Sequence, residues 1–340
     1  MNSKKLSQTY VIAEMACAHD GNPDLAYKLI DIAATAHPDA IQLQIFSVDR
    51  LVSPLLPSFN ASKKLEIPLN EWPNIISHSK QQGLQVWANI FDEDTLEIAA
   101  GQDVDGLKLH SSDLSNHRML DAVGSAGKPV NLAVGGSTLD EIAQAVFRLR
   151  ERGTKELILM HGYQGYPTHL SDARLGFIKT LMRLFGCPVG YQDHTDGSSE
   201  LAIFLPLVAI GAGACVLEKH FTDDRFRKGT DYESALGPED FTRFVRLVRA
   251  TDITIGEESI RPMSEAEFKY RHTMKKTIVA ACPIRKGEKI TDDMLAFMRA
   301  EPGLTPWDTE SLIGKLAAKD ILIFATIRPD DLIPDLEDRE

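Results

Sequence analysis

The chain has 340 residues, of which 43% are hydrophobic and 25% are charged, and its formal net charge is −12. This composition is typical of a globular protein with a full hydrophobic core, and the length allows two domains. The negative charge argues against nucleic acid or an anionic membrane surface as the main partner. A small anionic substrate remains compatible with it, because such a substrate needs only a local basic site.

Eight short apolar runs, rich in Val, Ile and Leu, alternate with amphipathic stretches over the first two thirds of the chain. The runs begin at Tyr10, Ala40, Leu84, Gly106, Pro129, Glu156, Pro188 and Ala214. Gly, Pro or charged residues bound them, as is typical of buried parallel strands. Helical patterns separate the runs: one starts at Pro23 after the N-cap candidate Asn22, and others span 138–153 and 237–249.

Eight strand–helix units over about 250 residues predict a (β/α)8 TIM barrel. A doubly wound open sheet is the alternative, but no Gly-rich nucleotide turn follows the first strand. We therefore expect a barrel domain at 1–252, a polar linker at 253–274 and a small terminal unit at 275–340. An extra solvated helix is the alternative for the linker. The terminal unit would be marginal alone, so we expect it to dock on a barrel, its own or a partner's.

The four cysteines, Cys17, Cys187, Cys215 and Cys282, form no C-x-x-C pair and indicate reduced thiols. The first residues lack the apolar core of a signal peptide. The most apolar stretch, 201–216, contains Pro206 and two glycines and is too short for a convincing membrane span. These features predict a cytoplasmic protein without a membrane partner.

TIM barrels carry their active sites at the C-terminal ends of the strands. The polar candidates there are Glu14, His19, Asp20, Gln42, Gln44, Asn89, Lys108, Ser111, Gln164, Tyr166, Asp193, His194, Lys219 and His220. His194 and His220 close neighbouring strands and could share a divalent metal ion, although spacing alone also allows hydrogen-bonded structural histidines. The alternative for Lys108 is an ion pair with Glu14 that only fills the barrel.

Several motifs resemble the sialic acid synthase family, whose members condense phosphoenolpyruvate with an N-acetylated sugar aldehyde. The motifs are I-A-E-M-A-C-A-H-D-G from Ile12, L-K-L-H-S-S-D-L-S-N from Leu107, G-Y-Q-D-H-T-D-G from Gly190, E-K-H-F from Glu218 and G-T-D-Y-E-S-A-L-G-P from Gly229. The terminal unit, with I-R-K-G-E-K-I-T from Ile284, resembles the antifreeze-protein-like (SAF) domain of the family. The resemblance extends over nearly the whole chain.

The resemblance implies a role for each matching residue. His194 and His220 match the ligands of a divalent metal ion, Mn²⁺ in the first place, with Mg²⁺ or Co²⁺ as alternatives. Glu14 matches a carboxylate that orients the sugar and assists proton transfer. Lys108 and Ser111 match part of the phosphate site, Tyr166 a nearby pocket residue, and Asp231 a carboxylate that contacts the sugar. The resemblance also implies a domain-swapped homodimer.

The chain departs from the family pattern at the phosphate end of the site. Gln42 stands where the family has a lysine, Asn89 where it has a threonine, Ala133 and Gln192 where it has serines, and Gln164 where it has an asparagine. Glu301 replaces an arginine of the terminal domain, and Arg299 is a candidate substitute. Three hypotheses follow: a divergent synthase that still uses phosphoenolpyruvate, a metal-dependent aldolase or lyase that does not, or a catalytically silent binding protein.

Overall fold

Eight parallel strands close into a barrel in the order β1 to β8 in the computed structural model, which describes residues 8–257 and 259–334. The strands are β1 (Tyr10–Ala16), β2 (Ala40–Ile45), β3 (Gln85–Ile90), β4 (Gly106–Leu109), β5 (Val130–Ala133), β6 (Leu157–His161), β7 (Val189–Asp193) and β8 (Val216–His220). Each begins at, or up to two residues after, the start of its predicted apolar run. The (β/α)8 prediction is therefore confirmed.

Helices connect the strands and cover the outside of the barrel. They are α1 (Pro23–Thr35), α2 (Val48–Leu51), α3 (Phe59–Lys63), α4 (Trp72–Gln81), α5 (Glu93–Gly101), α6 (His117–Ser125), α7 (Leu139–Glu151), α8 (Leu170–Ala173), α9 (Phe177–Phe185), α10 (Leu201–Ala212) and α11 (Pro238–Ile255). Local signals fix several ends. The Asn22 side chain accepts a hydrogen bond from the Asp24 backbone at the start of α1, and Thr138 and Glu141 form a capping box on α7.

The barrel strands bury both faces, and the inner face divides into an apolar and a polar half. Near the strand starts, the interior holds an apolar cluster of Tyr10, Ile12, Ala40, Trp87, Ile158, Met160 and Val216. The Trp87 indole donates a 3.1 Å hydrogen bond to the Tyr10 hydroxyl there. Towards the strand ends the inner positions become polar, as at Glu14, Lys108 and His220. The N-terminal half of the interior is thus a packed core, and the C-terminal half is available for chemistry.

The chain divides into two compact units between Glu257 and Glu258. In the second unit, β9 (Thr277–Ala280) pairs antiparallel with β10 (Leu295–Met298), and a short helix α13 spans Thr309–Leu312. Its core comprises Ile278, Ala280, Ile284, Ile290, Leu312, Ala317, Ile321 and Ile327. The outer parts of the two predicted domains, 1–7 and 335–340, lie outside the described residues.

The segment predicted as a linker contains a helix, α12 (Glu265–Met274), which was the alternative interpretation. Ser264 and Glu267 form a capping box at its start, and the helix has no buried residue. The capping box therefore supports this helix locally, and no face of the helix is buried. Across the whole described part of the chain, no helix combines the length and the apolar character that a membrane crossing requires.

Candidate active site

His194 and His220 stand side by side at the C-terminal mouth of the barrel. His194 directly follows β7, His220 is the last residue of β8, and their ring centroids are 5.2 Å apart. The Nδ1 atom of His194 lies 2.9 Å from the Tyr163 carbonyl oxygen, so Nδ1 carries the proton and donates. Its Nε2 atom is therefore an acceptor, 3.3 Å from the Tyr166 hydroxyl. A backbone carbonyl that fixes the tautomer in this way is a common support for a metal-binding histidine.

Both imidazoles are held in the neutral form that ligates metal ions. Burial lowers the pKa of His194 despite its hydrogen bond to the Tyr163 carbonyl. Burial also lowers the pKa of His220, together with the proximity of His194, Lys108 and Lys219. Two neutral imidazoles suit Mn²⁺ and several other divalent ions. Within residues 8–257 and 259–334, no three or more His, Cys, Asp or Glu side chains are grouped to bind a metal ion, so the metal site stays a prediction resting on two ligands.

Lys108 and two carboxylates form a buried charged cluster below the histidines. The Lys108 ammonium lies 2.5 Å from a Glu218 carboxylate oxygen and 3.7 Å from Glu14. Glu14 also accepts hydrogen bonds from the Ala16 backbone, at 2.7 Å, and from the Gln42 amide. Burial and the Glu218 carboxylate raise the pKa of Glu14 well above its usual range, against the opposing effect of Lys108. Glu14 is consequently a candidate to hold a proton at neutral pH.

A small pocket at the barrel mouth brings eight of the predicted site residues together. Its lining consists of Glu14, Gln44, Lys108, His110, Gln164, Tyr166, Gln192, His194, Glu218 and His220. His110 and Glu218 were not among the predicted site residues. Both could have been found by alternation, since they lie two positions from Lys108 and His220 and share their inward face.

Amide side chains surround Lys108 inside the barrel. Asn89 and Asn131 are its register neighbours on β3 and β5, and both are fully buried. Among the described residues, neither amide has a hydrogen-bond partner for its oxygen or its nitrogen. The side-chain oxygens of Gln42 and Gln192 are likewise buried without a partner there. Unpaired buried polar atoms are costly, so these amides are suited to contact a bound polar molecule. Asn131 was not among the predicted site residues.

A glycine makes room for Gln192, which replaces a small hydroxyl of the family pattern. A Cβ atom at Gly162 would lie 2.3 Å from the Gln192 side chain. Gly135 similarly faces Gln164, where a Cβ would lie 3.0 Å from the glutamine Cγ and 2.2 Å from the Gly162 carbonyl oxygen. The backbone also requires both glycines, since a Cβ at Gly162 would lie 2.4 Å from the Gln192 carbonyl oxygen, and their missing side chains leave space beside the two amides.

Several predicted site residues lie outside the pocket lining. His19 is buried, accepts a 3.0 Å hydrogen bond from the Gly21 backbone and packs edge-on against Trp72. Asp20 binds Arg227 and Thr230 of the loop after β8.

Asp231 follows in the same loop with a left-handed backbone, φ 63°, and accepts a long 3.5 Å hydrogen bond from the Cys17 amide. Ser111 starts a 3-10 turn after β4. Arg299 is exposed and follows β10 in the second unit. Glu301, at the position of the family arginine, instead pairs with Arg328 at 2.6 Å.

Comparison with known proteins identifies the family. The NeuB family matches residues 29–259, which is more than half of the chain. The chain belongs to the NeuB family. Residues 275–333 match the SAF domain, which confirms the predicted type of terminal unit.

The relatives of this NeuB protein described below cover 78–96% of its length. An uncharacterized protein of Methanocaldococcus jannaschii is 31% identical over 96% of this chain and 95% of its own. The N,N'-diacetyllegionaminic acid synthase of Campylobacter jejuni is 29% identical over 92% of this chain and 97% of its own. The solved structure of the sialic acid synthetase of Leptospira borgpetersenii is 29% identical with a TM-score of 0.72, covering 78% of this chain and 92% of that one. The chain is therefore an enzyme of a carbon–carbon bond-forming, sialic acid synthase type.

Proposed function

We propose that this enzyme condenses phosphoenolpyruvate with an N-acetylated sugar aldehyde to form a nonulosonic acid and phosphate. The observation that carries the proposal is the pair of neutral imidazoles, His194 and His220, directly above the buried Glu14–Lys108–Glu218 cluster. Synthases of legionaminic and sialic acid are among its relatives. Carbon 3 of the enol phosphate attacks the sugar carbonyl, water adds to carbon 2, and the resulting tetrahedral species expels phosphate.

Each residue has a chemical role in this proposal. His194 and His220 hold a divalent ion, Mn²⁺ in the first place, which supplies a Lewis acid for the sugar carbonyl. Glu14 orients the sugar and, because burial favours its protonated form, can donate a proton to the developing sugar alkoxide. Lys108 is the cation that faces the donor.

Other side chains complete the two substrate sites. Ser111, Gln42, Asn89 and Gln192 contribute to the donor end, and Gln44, Gln164 and Tyr166 line the space beside the histidines. Asp231, with His19 and Asp20 behind its loop, faces the sugar. We also propose a cytoplasmic enzyme, in line with its four free cysteines, all of which lie in described residues. Its assembly is a homodimer in which the terminal domain of one chain, with Arg299, covers the barrel of the partner.

One observation favours a second candidate, a metal-dependent aldolase or lyase that does not use phosphoenolpyruvate. Among the residues that line the pocket, Lys108 is the lone lysine or arginine, and Glu218 already neutralises much of its charge. The surrounding donors are uncharged amides. A charged hydrogen bond contributes about 1.5–3 kcal/mol, so a donor with fewer negative charges than a phosphate ester would bind here at less cost.

Phosphate release decides between the two candidates. The protein is incubated with Mn²⁺, phosphoenolpyruvate and a panel of N-acetylated hexosamines, with chelator-treated protein and His220→Ala as controls. We expect Mn²⁺-dependent phosphate release with at least one sugar, and none from either control. Absence of release with every sugar, together with metal-dependent turnover of pyruvate, would replace the first candidate by the second.

A further inference from the structure

The residues directly before the two histidines form an ion pair on the opposite face of the strands. Asp193 and Lys219 are register partners on β7 and β8, and their carboxylate oxygen and ammonium nitrogen are 2.5 Å apart. Their side chains are 1% and 0% exposed. Because side chains alternate along a strand, this pair points to the helix layer while His194 and His220 point into the barrel. The pair therefore takes no part in the pocket itself.

The ion pair is embedded in a closed set of hydrogen bonds. The second carboxylate oxygen of Asp193 accepts a 2.8 Å hydrogen bond from the Tyr191 hydroxyl and a 2.6 Å hydrogen bond from the Thr195 hydroxyl. The ring of Tyr191 belongs to the apolar core between barrel and helices. Both oxygens of the carboxylate are thus held by buried donors on β7, β8 and the turn that follows, so its position is fixed from several sides.

A charged pair at this place is better explained by geometry than by stability. The outer face of barrel strands is ordinarily apolar, and a buried ion pair is often no more stabilising than apolar residues of similar volume. The ion pair can form in only one register of β7 and β8. A shift of one residue between the strands would turn one of the two side chains to the opposite face of the sheet. The register that joins Asp193 to Lys219 is also the one that sets the imidazole rings 5.2 Å apart.

We infer that Asp193 and Lys219 are positioning residues that hold β7 and β8 in the register in which His194 and His220 bind one divalent ion. The inference rests on the proposed role of the two histidines as ligands. Neither Asp193 nor Lys219 touches the ion or the substrate; they act through the backbone of the residues that follow them. Outer contacts of this kind commonly change metal affinity by 10- to 100-fold.

The test is the double variant Asp193→Asn/Lys219→Met. Asparagine keeps an oxygen for Tyr191 and Thr195, and methionine keeps the length of the side chain, so no lone charge is left buried. We expect a folded protein whose dissociation constant for Mn²⁺ rises by at least about tenfold. Titration of free Mn²⁺ by electron paramagnetic resonance measures the affinity. Nitrogen couplings in pulsed electron paramagnetic resonance spectra of the bound ion report whether one or two imidazoles still bind. A general loss of stability would not change that number.

A matched control breaks an ion pair at the other end of the barrel. Asp39, just before β2, and Arg249 on α11 form a 2.7 Å pair near the strand starts. The double variant Asp39→Asn/Arg249→Met should alter the unfolding temperature but leave Mn²⁺ affinity and both nitrogen couplings as in the wild type.

Each result bears on a defined part of the inference. Wild-type Mn²⁺ binding combined with unchanged affinity in the 193/219 variant overturns the positioning role and leaves the proposed function intact. No Mn²⁺ binding by the wild type overturns the metal role and the inference with it. If the double variant does not fold, Mn²⁺ binding is measured on Lys219→Arg instead. This substitution keeps the positive charge but changes its geometry. Weaker Mn²⁺ binding by Lys219→Arg supports the inference, and unchanged binding contradicts it.

Discussion

Asn131 illustrates, at the scale of a single residue, a buried polar group whose presence the fold alone does not explain. It lies next to Lys108 in register, and both its amide atoms are without a partner in the described part of the chain. An unpaired buried amide costs about 1–3 kcal/mol of stability. A side chain that destabilises the free protein in this way is expected to be retained for a ligand, because stability and function often conflict at active sites.

Asn131→Leu should therefore stabilise the protein while weakening donor binding. We expect the free energy of unfolding to rise by about 1 kcal/mol, since the leucine side chain has the same branching and number of heavy atoms and no group to satisfy. The KM for phosphoenolpyruvate should rise by about tenfold, which corresponds to one lost hydrogen bond. Urea unfolding and steady-state kinetics measure the two effects.

The control for this variant is Thr154→Val, because Thr154 also has a buried hydroxyl without a partner among the described residues but follows α7, away from the barrel interior. It should change stability only. An unchanged KM in Asn131→Leu would show that Asn131 does not contact the donor.

His19 should make the protein sensitive to acid. Burial lowers its pKa to about 4 from 6.5, although Asp20 acts in the opposite direction. Below pH 6.5 the unfolded chain binds this proton before the folded one does, so stability falls as the pH drops from 6.5 towards 4. His19→Asn keeps an acceptor for the Gly21 amide and cannot titrate. Between pH 6.5 and pH 4, the free energy of unfolding of His19→Asn should fall by up to about 3 kcal/mol less than that of the wild type. Equal losses in urea unfolding across the range would contradict the assignment.

The elements of the barrel were predictable because their signals are local. The apolar runs and helix caps lie within a few residues of the boundaries that they set, as with Asn22 and Thr138. The second unit was less predictable, since apart from one strand pair it is joined by isolated bridges such as Ile284 to Ile321. These contacts link distant residues and leave no periodic pattern. Alternation along β8 places Glu218 on the inward face, but its pairing with Lys108 crosses the barrel and is visible only in the closed sheet.

At the scale of elements, hydrogen bonds and an ion pair join the loop after β1 to the loop after β8. We call this set of contacts, made by Asp20, Arg227 and Thr230, the clamp. The Asp20 carboxylate accepts hydrogen bonds from the Thr230 backbone, at 3.0 Å, and the Thr230 hydroxyl, at 2.7 Å, and it pairs with Arg227. Arg227 also donates a 3.0 Å hydrogen bond to the Ala18 carbonyl. Since Asp231 comes next in the chain, the clamp restrains the proposed sugar contact.

Arg227→Met should release the β8 loop and weaken the binding of the acceptor sugar. We expect the KM for the sugar to rise by about three- to tenfold with a small effect on kcat, as for the loss of uniform binding. Lys28→Met is the matched control, because Lys28 pairs with Asp223, a partner of Arg227, without touching Asp20. Steady-state kinetics with varied sugar provide the measurement. An unchanged KM for the sugar in Arg227→Met would contradict the proposal that the clamp positions Asp231 for sugar binding.

At the scale of the whole molecule, the second unit has a small core and exposed apolar side chains. Eight buried hydrophobic residues form that core. Trp307, Leu322 and Phe324 are 95%, 74% and 62% exposed. Large exposed apolar groups commonly mark a surface that another protein covers. This supports the proposed homodimer, in which the unit completes the site of the partner chain.

Mixed dimers test the domain swap directly. His220→Ala inactivates the barrel of one chain, and Arg299→Ala should disable the terminal unit of the other, so each variant alone has little activity. In a swapped dimer of one chain of each kind, the intact barrel receives the intact terminal unit and one site works. Random exchange makes about half of the dimers mixed, each with one of two sites, so about a quarter of wild-type activity should return.

Without swapping, the intact barrel keeps its own disabled unit, and mixing restores nothing. Light scattering at micromolar concentration provides the check on assembly, since a mass of one 37.6 kDa chain would contradict the dimer itself. Full activity of Arg299→Ala alone would contradict the role given to Arg299. Activity that returns on mixing therefore requires both a dimer and a site shared between its two chains.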